Sequence, residues 1–218
     1  ITNIHSSKII INKFSFDLPN SKDLRSFSYL KKKYKLKKNY FYLPNQYWVH
    51  KNHKVVLEAL VKILKHRKKD VFIYSSGSKE DYRDPQNFQN LIKYVKNNNI
   101  SNNYIYLGLI PFIDVLSLIF HSTAVINPSL FEGWSSTVEQ AKVYNKKIIL
   151  SNIDVHREQN PKYAFFFNPY DSNKLSNILQ SINSIQNKKK TLIQKSNQIR
   201  KKKDNYVKNY LNLILSAK

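Results

Sequence analysis

Short apolar runs recur along the chain, and the segments between most of them carry apolar residues at helical spacing. Tyr40-Phe41-Tyr42-Leu43, Val71-Phe72-Ile73-Tyr74, Tyr104-Ile105-Tyr106-Leu107, Ala124-Val125-Ile126, Ile148-Ile149-Leu150 and Ala164-Phe165-Phe166-Phe167 read as strands. His53 to His66, with apolar residues at 55, 56, 59, 60, 63 and 64, reads as a helix. Further helices are expected from Pro85 to the Asn97-Asn98-Asn99 run, over Ile113 to Phe120, from Ser136 to Tyr144 and over Leu175 to Ile185. Strands that are apolar throughout are covered on both faces, so the alternation predicts a doubly wound parallel α/β sheet. Ahead of it, Ile9 to Leu18 reads as a strand running into a Pro19-Asn20 turn, and Asp23 to Lys38 as a short basic helix or linker. Lys188 to Ala217 reads as one or two basic amphipathic helices. The organisation expected is therefore 1–38 as a junction, 39–186 as the Rossmann-like domain and 187–218 as C-terminal basic helices.

Composition adds limits. Across 218 residues, 41% are hydrophobic, enough for a sizeable core, so the chain is globular rather than disordered. There is no Cys, which excludes a disulfide framework, a thiolate metal site and a Cys nucleophile. There is also no Met, and the chain begins Ile1-Thr2-Asn3, which reads as a portion of a longer protein. The most apolar stretch, Ile105 to Ile126, is broken by Pro111, Asp114 and His121 and does not read as a membrane span. A net charge of +23 ordinarily suggests a polyanionic partner. The excess is scattered Lys, however, whereas groove readers and phosphate clamps favour the forked guanidinium of Arg. The rival reading remains a non-enzymatic basic module that grips RNA or an anionic membrane surface through Lys31-Lys32-Lys33, Lys37-Lys38, Lys188-Lys189-Lys190 and Lys201-Lys202-Lys203.

In a parallel sheet ligands bind beyond the carboxyl ends of the strands, which directs attention to five loops, 45–52, 75–81, 108–112, 127–136 and 151–158. The loop through Pro128-Ser129-Leu130-Phe131-Glu132-Gly133-Trp134-Ser135-Ser136 carries a carboxylate, a glycine and hydroxyl residues opening a helix, whose first amides form an anion site. Ser136 followed by Thr137-Val138-Glu139 has capping-box spacing, with Ser136 as the N-cap and Glu139 as its partner. Lys51 stands just before a helix, where an ammonium can meet a diphosphate. His50 and His53 have no third ligand nearby, so the spacing does not make a metal site.

Four segments in order resemble the nucleotide-sugar-binding half of retaining GT-B glycosyltransferases of family 4, over most of Tyr40 to Leu179. They are Tyr42-Leu43-Pro44-Asn45-Gln46-Tyr47-Trp48-Val49-His50-Lys51-Asn52-His53, Gly108 at a strand end, Asn127 through Glu132-Gly133-Trp134 to Gln140-Ala141-Lys142, and Ile149 through His156-Arg157-Glu158-Gln159. The resemblance implies transfer of a sugar from a nucleoside-diphosphate sugar to an acceptor glycan or lipid-linked glycan with retention, as in polysaccharide biosynthesis. It implies Glu132 as the catalytic carboxylate at donor-sugar hydroxyls, amides of Gly133, Trp134 and Ser135 near sugar and distal phosphate, and Lys51 at the diphosphate. Gln46 stands where many relatives have Arg, Ile110 with Leu109 borders the base, and Glu158 organises the last loop. His156 and Arg157 are open between structural and ligand-binding roles. Gln140 falls at the second acidic position of the family's motif, at the ribose hydroxyls, one residue beyond Glu139. No cofactor and no metal is implied, since an ammonium and a helix N-terminus can neutralise a departing diphosphate. A cytoplasmic location at the inner face of the membrane goes with that reading, as does an isolated chain that binds donor weakly and transfers nothing, because the acceptor domain lies elsewhere.

Overall fold

The computed structural model describes residues 18–65 and 71–184. The expected strand at 9–18 falls almost wholly outside these residues, and the helices expected over 188–217 do so entirely. Six strands, β1 (Phe41–Leu43), β2 (Ile73–Ser75), β3 (Tyr104–Tyr106), β4 (Ala124–Asn127), β5 (Ile148–Ser151) and β6 (Ala164–Phe167), form one sheet in the order β3-β2-β1-β4-β5-β6. Every pairing is parallel, as the uninterrupted apolar runs predict. Strand order reverses between β1 and β4, so a crevice opens at their carboxyl ends, where loops 44–52 and 128–135 meet.

The period-two alternation of side chains sorts the core into two layers. Phe41, Leu43, Ile73, Ala124, Ile126 and Ile149 point to one face, where they pack with α2 (His53–Lys65), α3 (Asn87–Asn97) and α7 (Ser172–Ser184). Tyr42, Tyr74, Val125, Ile148 and Leu150 point to the other, with α1 (Phe27–Tyr34), α4 (Phe112–His121) and α5 (Ser136–Val143). α1 falls in the segment expected to be a junction, yet Leu30 and Leu36 are buried in this second layer. Lys33 Nζ donates to the buried Asp114 carboxylate at 2.7 Å, and Tyr34 donates to the same oxygen, so α1 is fastened to α4.

Two elements differ from the sequence reading. Residues 154–158, read as loop, lie within a further helix, α6 (Asp154–Gln159), ended by Asn160 in the left-handed conformation. With six polar-rich residues it is too short to show a helical period. α5 is capped by Ser135 rather than Ser136: the Ser135 hydroxyl accepts from Val138 N–H at 3.4 Å. Two consecutive serines offer the same cap chemistry, and the shift moves Glu139 one position past the capping-box site.

A polar chain inside the first layer shapes the loop after β1. His53 is buried, stacked on Tyr47 with ring centroids 4.1 Å apart. Its Nε2 lies 3.0 Å from the Gln46 carbonyl, which can only accept, so Nε2 carries the proton and Nδ1 accepts from Tyr104 Oη at 3.0 Å. Tyr104 in turn accepts from Tyr47, and Tyr47 from Ser75, at 2.9 and 2.7 Å. Burial pushes the His53 imidazole from 6.5 down to about 4. Between those values the unfolded chain binds the extra proton. Stability is therefore present above pH 6.5 and lost as pH falls towards 4, by about 2 kcal/mol on going from pH 7.5 to 5. His53→Gln should flatten that interval in urea titrations at the two pH values; an unchanged slope would assign the loss to other groups.

Candidate donor site at the strand crossover

Loops 44–52 and 128–135 are braced against each other by protein contacts. Leu130 N–H donates to the His50 carbonyl at 2.7 Å. Asn52, left-handed at φ 53°, sends its side-chain amide to the carbonyls of Pro128 (3.1 Å) and Pro169 (2.8 Å). Asn45 donates to Asn127 Oδ1 across the β1–β4 boundary at 3.2 Å, and Asn127 Nδ2 donates to the Ser135 hydroxyl at 2.7 Å. Gly77 admits the third loop: at φ +147°, a Cβ there would stand 2.5 Å from the Asn45 carbonyl oxygen. No sequence signal singled Gly77 out, because its crowding comes from a loop more than thirty residues earlier.

Within this frame lies a cavity of about 380 Å³. Of the residues expected at the site, Gln46, Lys51, Ile110, Glu132, Trp134, Ser135 and Gln140 line it. Gly133 stands between two of them on the same loop, exposed, with open space where a Cβ would project. A turn of 3-10 helix over Val49–Lys51 directs Lys51 inward, and its Nζ lies 2.8 and 2.9 Å from the two carboxylate oxygens of Glu132. Both side chains are nearly buried, at 10% and 9% exposure. Ser129 Oγ reaches Glu132 Oε1 at 2.7 Å, and Ser129 is held from behind by Ser151, which donates to its carbonyl.

Beside this pair α5 points its N-terminus at the cavity, which Ser135, Ser136 and Thr137 line. Ser135 N–H, expected to approach the ligand, donates instead to Gln159 Oε1 at 3.3 Å. The first-turn amides of Ser136 and Thr137 have no acceptor within the helix, which makes them the ones to offer an anion. Gln159 also donates to the Ser135 carbonyl (2.9 Å) and to Glu139 (3.0 Å), while Lys142 donates to Glu139 (2.9 Å) and to the Gln159 carbonyl (2.7 Å). Glu139 thus anchors α5 to α6, not the helix cap. Gln140, about 100° further round the helix, faces the cavity and is 6% exposed.

The last loop is organised by Gln159, not by Glu158, which is exposed on α6. Arg157 is exposed and donates to Asn152 at 2.7 Å. His156 is fully buried and does not line the cavity: Nδ1 sits 2.9 Å from the Ser151 carbonyl, and Nε2 has no partner among the described residues. Burial lowers its imidazole below the ordinary range, with Glu132 and Lys51 pulling in opposite directions. His50 is lowered as well, first by burial and then by the Lys51 charge. Among the described residues no group of three or more His, Cys, Asp or Glu is placed to hold a metal ion, and no helix is long and apolar enough to cross a membrane. Of the basic runs, Lys31 to Lys33 sits in the last turn of α1; those at 188–190 and 201–203 lie outside the described residues.

The family model for glycosyl transferases group 1 matches residues 26–199. The chain belongs to the group 1 glycosyl transferases. No curated protein matches its sequence significantly. Among solved structures, this group 1 glycosyl transferase is similar to Anabaena HepE in complex with UDP-glucose, at 15% identity and a TM-score of 0.69 over 85% of this chain and 52% of that one. It is similar to sucrose-phosphate synthase from Thermosynechococcus elongatus, at 16% identity and a TM-score of 0.67 over 91% and 51%. A third is the C-terminal domain of the group 1 family protein LpcC from Francisella tularensis, at 17% identity and a TM-score of 0.60 over 72% and 82%. The group 1 chain spans about half the length of the first three structures it matches, at 46%, 52% and 50%. At these identities the likeness is one of fold, and it agrees with the doubly wound sheet.

Proposed function

We propose that this chain is the donor-binding half of a retaining family 4 glycosyltransferase, which moves a sugar from a nucleoside-diphosphate sugar to a glycan or lipid-linked acceptor. The observation that carries the reading is the Lys51 ammonium paired with the Glu132 carboxylate, at the sheet crossover and beside the start of α5. A cation and a helix N-terminus suit a diphosphate, and a nearly buried carboxylate suits sugar hydroxyls. UDP or UDP-glucose is bound by Anabaena HepE, whose fold this chain shares. In the proposed pose Glu132 accepts from the sugar, Lys51 and the Ser136 and Thr137 amides hold the diphosphate, and Trp134 borders the sugar. Gln140 accepts from a ribose hydroxyl, Ile110 lies against the base and Gln46 lies beside the phosphates. Lys51 and the helix amides supply the charge stabilisation a departing diphosphate needs, so no divalent metal enters the scheme.

Calorimetry with UDP, GDP and ADP and with their glucose and mannose conjugates tests the reading. One base series should bind, with Gln140→Glu tightening it several-fold, because a carboxylate makes the charge-assisted bidentate contact to a ribose that an amide cannot. Glu139→Gln should lower the melting temperature, through lost contacts to Lys142 and Gln159, and leave affinity nearly unchanged. Absence of binding by every nucleotide would sink the donor reading, and the opposite behaviour of the two variants would shift the ribose contact to Glu139.

A further inference from the structure

At the strand crossover Lys51 and Glu132 hold each other. Two of the three ammonium N–H bonds are directed to the two carboxylate oxygens, at 2.8 and 2.9 Å, and among the described residues the carboxylate has one further donor, Ser129 Oγ. Neither charge can be withdrawn alone. A diphosphate that draws the ammonium away leaves a nearly buried carboxylate facing a single hydroxyl, and an unpaired buried charge is strongly disfavoured. Ser129 cannot compensate fully, since its one hydrogen is shared with Asn127 Oδ1, which lies 2.8 Å from Ser129 Oγ. Sugar hydroxyls are donors, and they are what can replace the ammonium on Glu132.

We propose that the Lys51–Glu132 pair is a discriminating latch, opened by a ligand that carries a diphosphate and a sugar together and closing again against a nucleoside diphosphate that has no sugar. The inference rests on the donor-binding reading above. It adds a direction to the site: sugar nucleotide is retained because both charges find new partners, whereas the bare nucleoside diphosphate competes with Glu132 for Lys51 and is released. The surrounding frame favours an exchange made by side chains. Leu130 N–H is bonded to the His50 carbonyl, Asn52 is bonded to Pro128, and Ser151 holds Ser129, so the backbone on both sides of the pair is fixed.

Glu132→Gln keeps the shape and removes the charge. Calorimetry should show UDP, GDP or ADP, whichever binds, and inorganic pyrophosphate binding this variant about five- to ten-fold more tightly than the unaltered chain. The matching sugar nucleotide should bind it no more tightly than before. The unaltered chain gives a second measurement that needs no variant. Saturating free glucose, galactose or mannose should tighten nucleoside diphosphate binding several-fold, and reciprocity requires the diphosphate to tighten the sugar equally. That coupling should vanish in Glu132→Gln. Unchanged or weaker diphosphate binding by a folded Glu132→Gln chain would overturn the latch, and so would absence of coupling with all three sugars. Tighter pyrophosphate binding with no nucleotide bound by either form would keep the exchange and overturn the nucleotide reading instead.

Discussion

Replacing Lys51 by Ala is expected to lower both the stability of the chain and its affinity for a nucleoside diphosphate, through different consequences of one lost charge. The Lys51–Glu132 pair is about nine-tenths buried on both sides. Breaking a buried pair by removing one partner costs about 3–5 kcal/mol, because the other charge stays without compensation. For a chain of this size that is a fall in melting temperature of about 10 °C. Neutralising the survivor should reverse most of it, so the double variant Lys51→Ala with Glu132→Gln is expected to melt well above Lys51→Ala alone. For ligands, loss of a charge-assisted contact to phosphate should weaken a nucleoside diphosphate roughly ten- to a hundred-fold, and a nucleoside monophosphate a few-fold at most. The double variant separates the two contributions, since it lacks both the attraction of Lys51 and the repulsion of an unpaired Glu132. Equal losses for mono- and diphosphate in both variants would move Lys51 away from the distal phosphate.

The architecture was legible because each strand's apolar run marks a position covered on both faces, and the helices between them show a clear period. Phe41 and Leu43 serve one core layer and Tyr42 the other, which an apolar run allows and an alternating polar strand would not. The gathering of Gln46, Lys51, Ile110, Glu132 and Gln140 in one cavity follows from the same topology, since all lie beyond carboxyl ends of strands. What escaped the sequence lies in contacts between distant loops. In the sequence Gln159 reads as the end of a motif, whereas in the structure its side-chain amide brackets both backbone groups of Ser135, at the start of another helix. Glu139 had the spacing of a cap partner, and only the true start of α5 at Ser136 shows that it reaches α6 instead. The charge reading likewise needed partners: Lys33 belongs to a basic run, but its ammonium is bonded to a buried aspartate.

Gly77→Ala is the second change expected to be large, and it acts on the frame rather than on any ligand contact. Gly77 adopts φ +147°, a conformation essentially restricted to glycine. Its added Cβ would meet the Asn45 carbonyl oxygen at 2.5 Å, the Asn45 carbonyl carbon at 2.7 Å and the Gln46 amide nitrogen at 2.8 Å. All three are backbone atoms, so no side-chain rotation relieves the crowding. The neighbouring ties oppose retreat from the other side: Gly77 N–H donates to the Gly108 carbonyl at 3.1 Å, and Tyr106 Oη donates to the Gly77 carbonyl at 2.9 Å. Backbone strain and overpacking together should cost about 2–5 kcal/mol, and the displacement of Asn45 and Gln46 should widen the cavity and weaken nucleotide binding at the same time. Gly133→Ala is the matched control. Its Cβ would project into open space, so its melting temperature should stay within a degree or two of the parent, while binding weakens if the ligand occupies that space. Thermal unfolding and nucleotide titration of the two variants side by side decide the matter. A Gly77→Ala chain as stable as the parent would show that the loops after β1 and β2 can part without loss, and would remove Gly77 from the frame of the site.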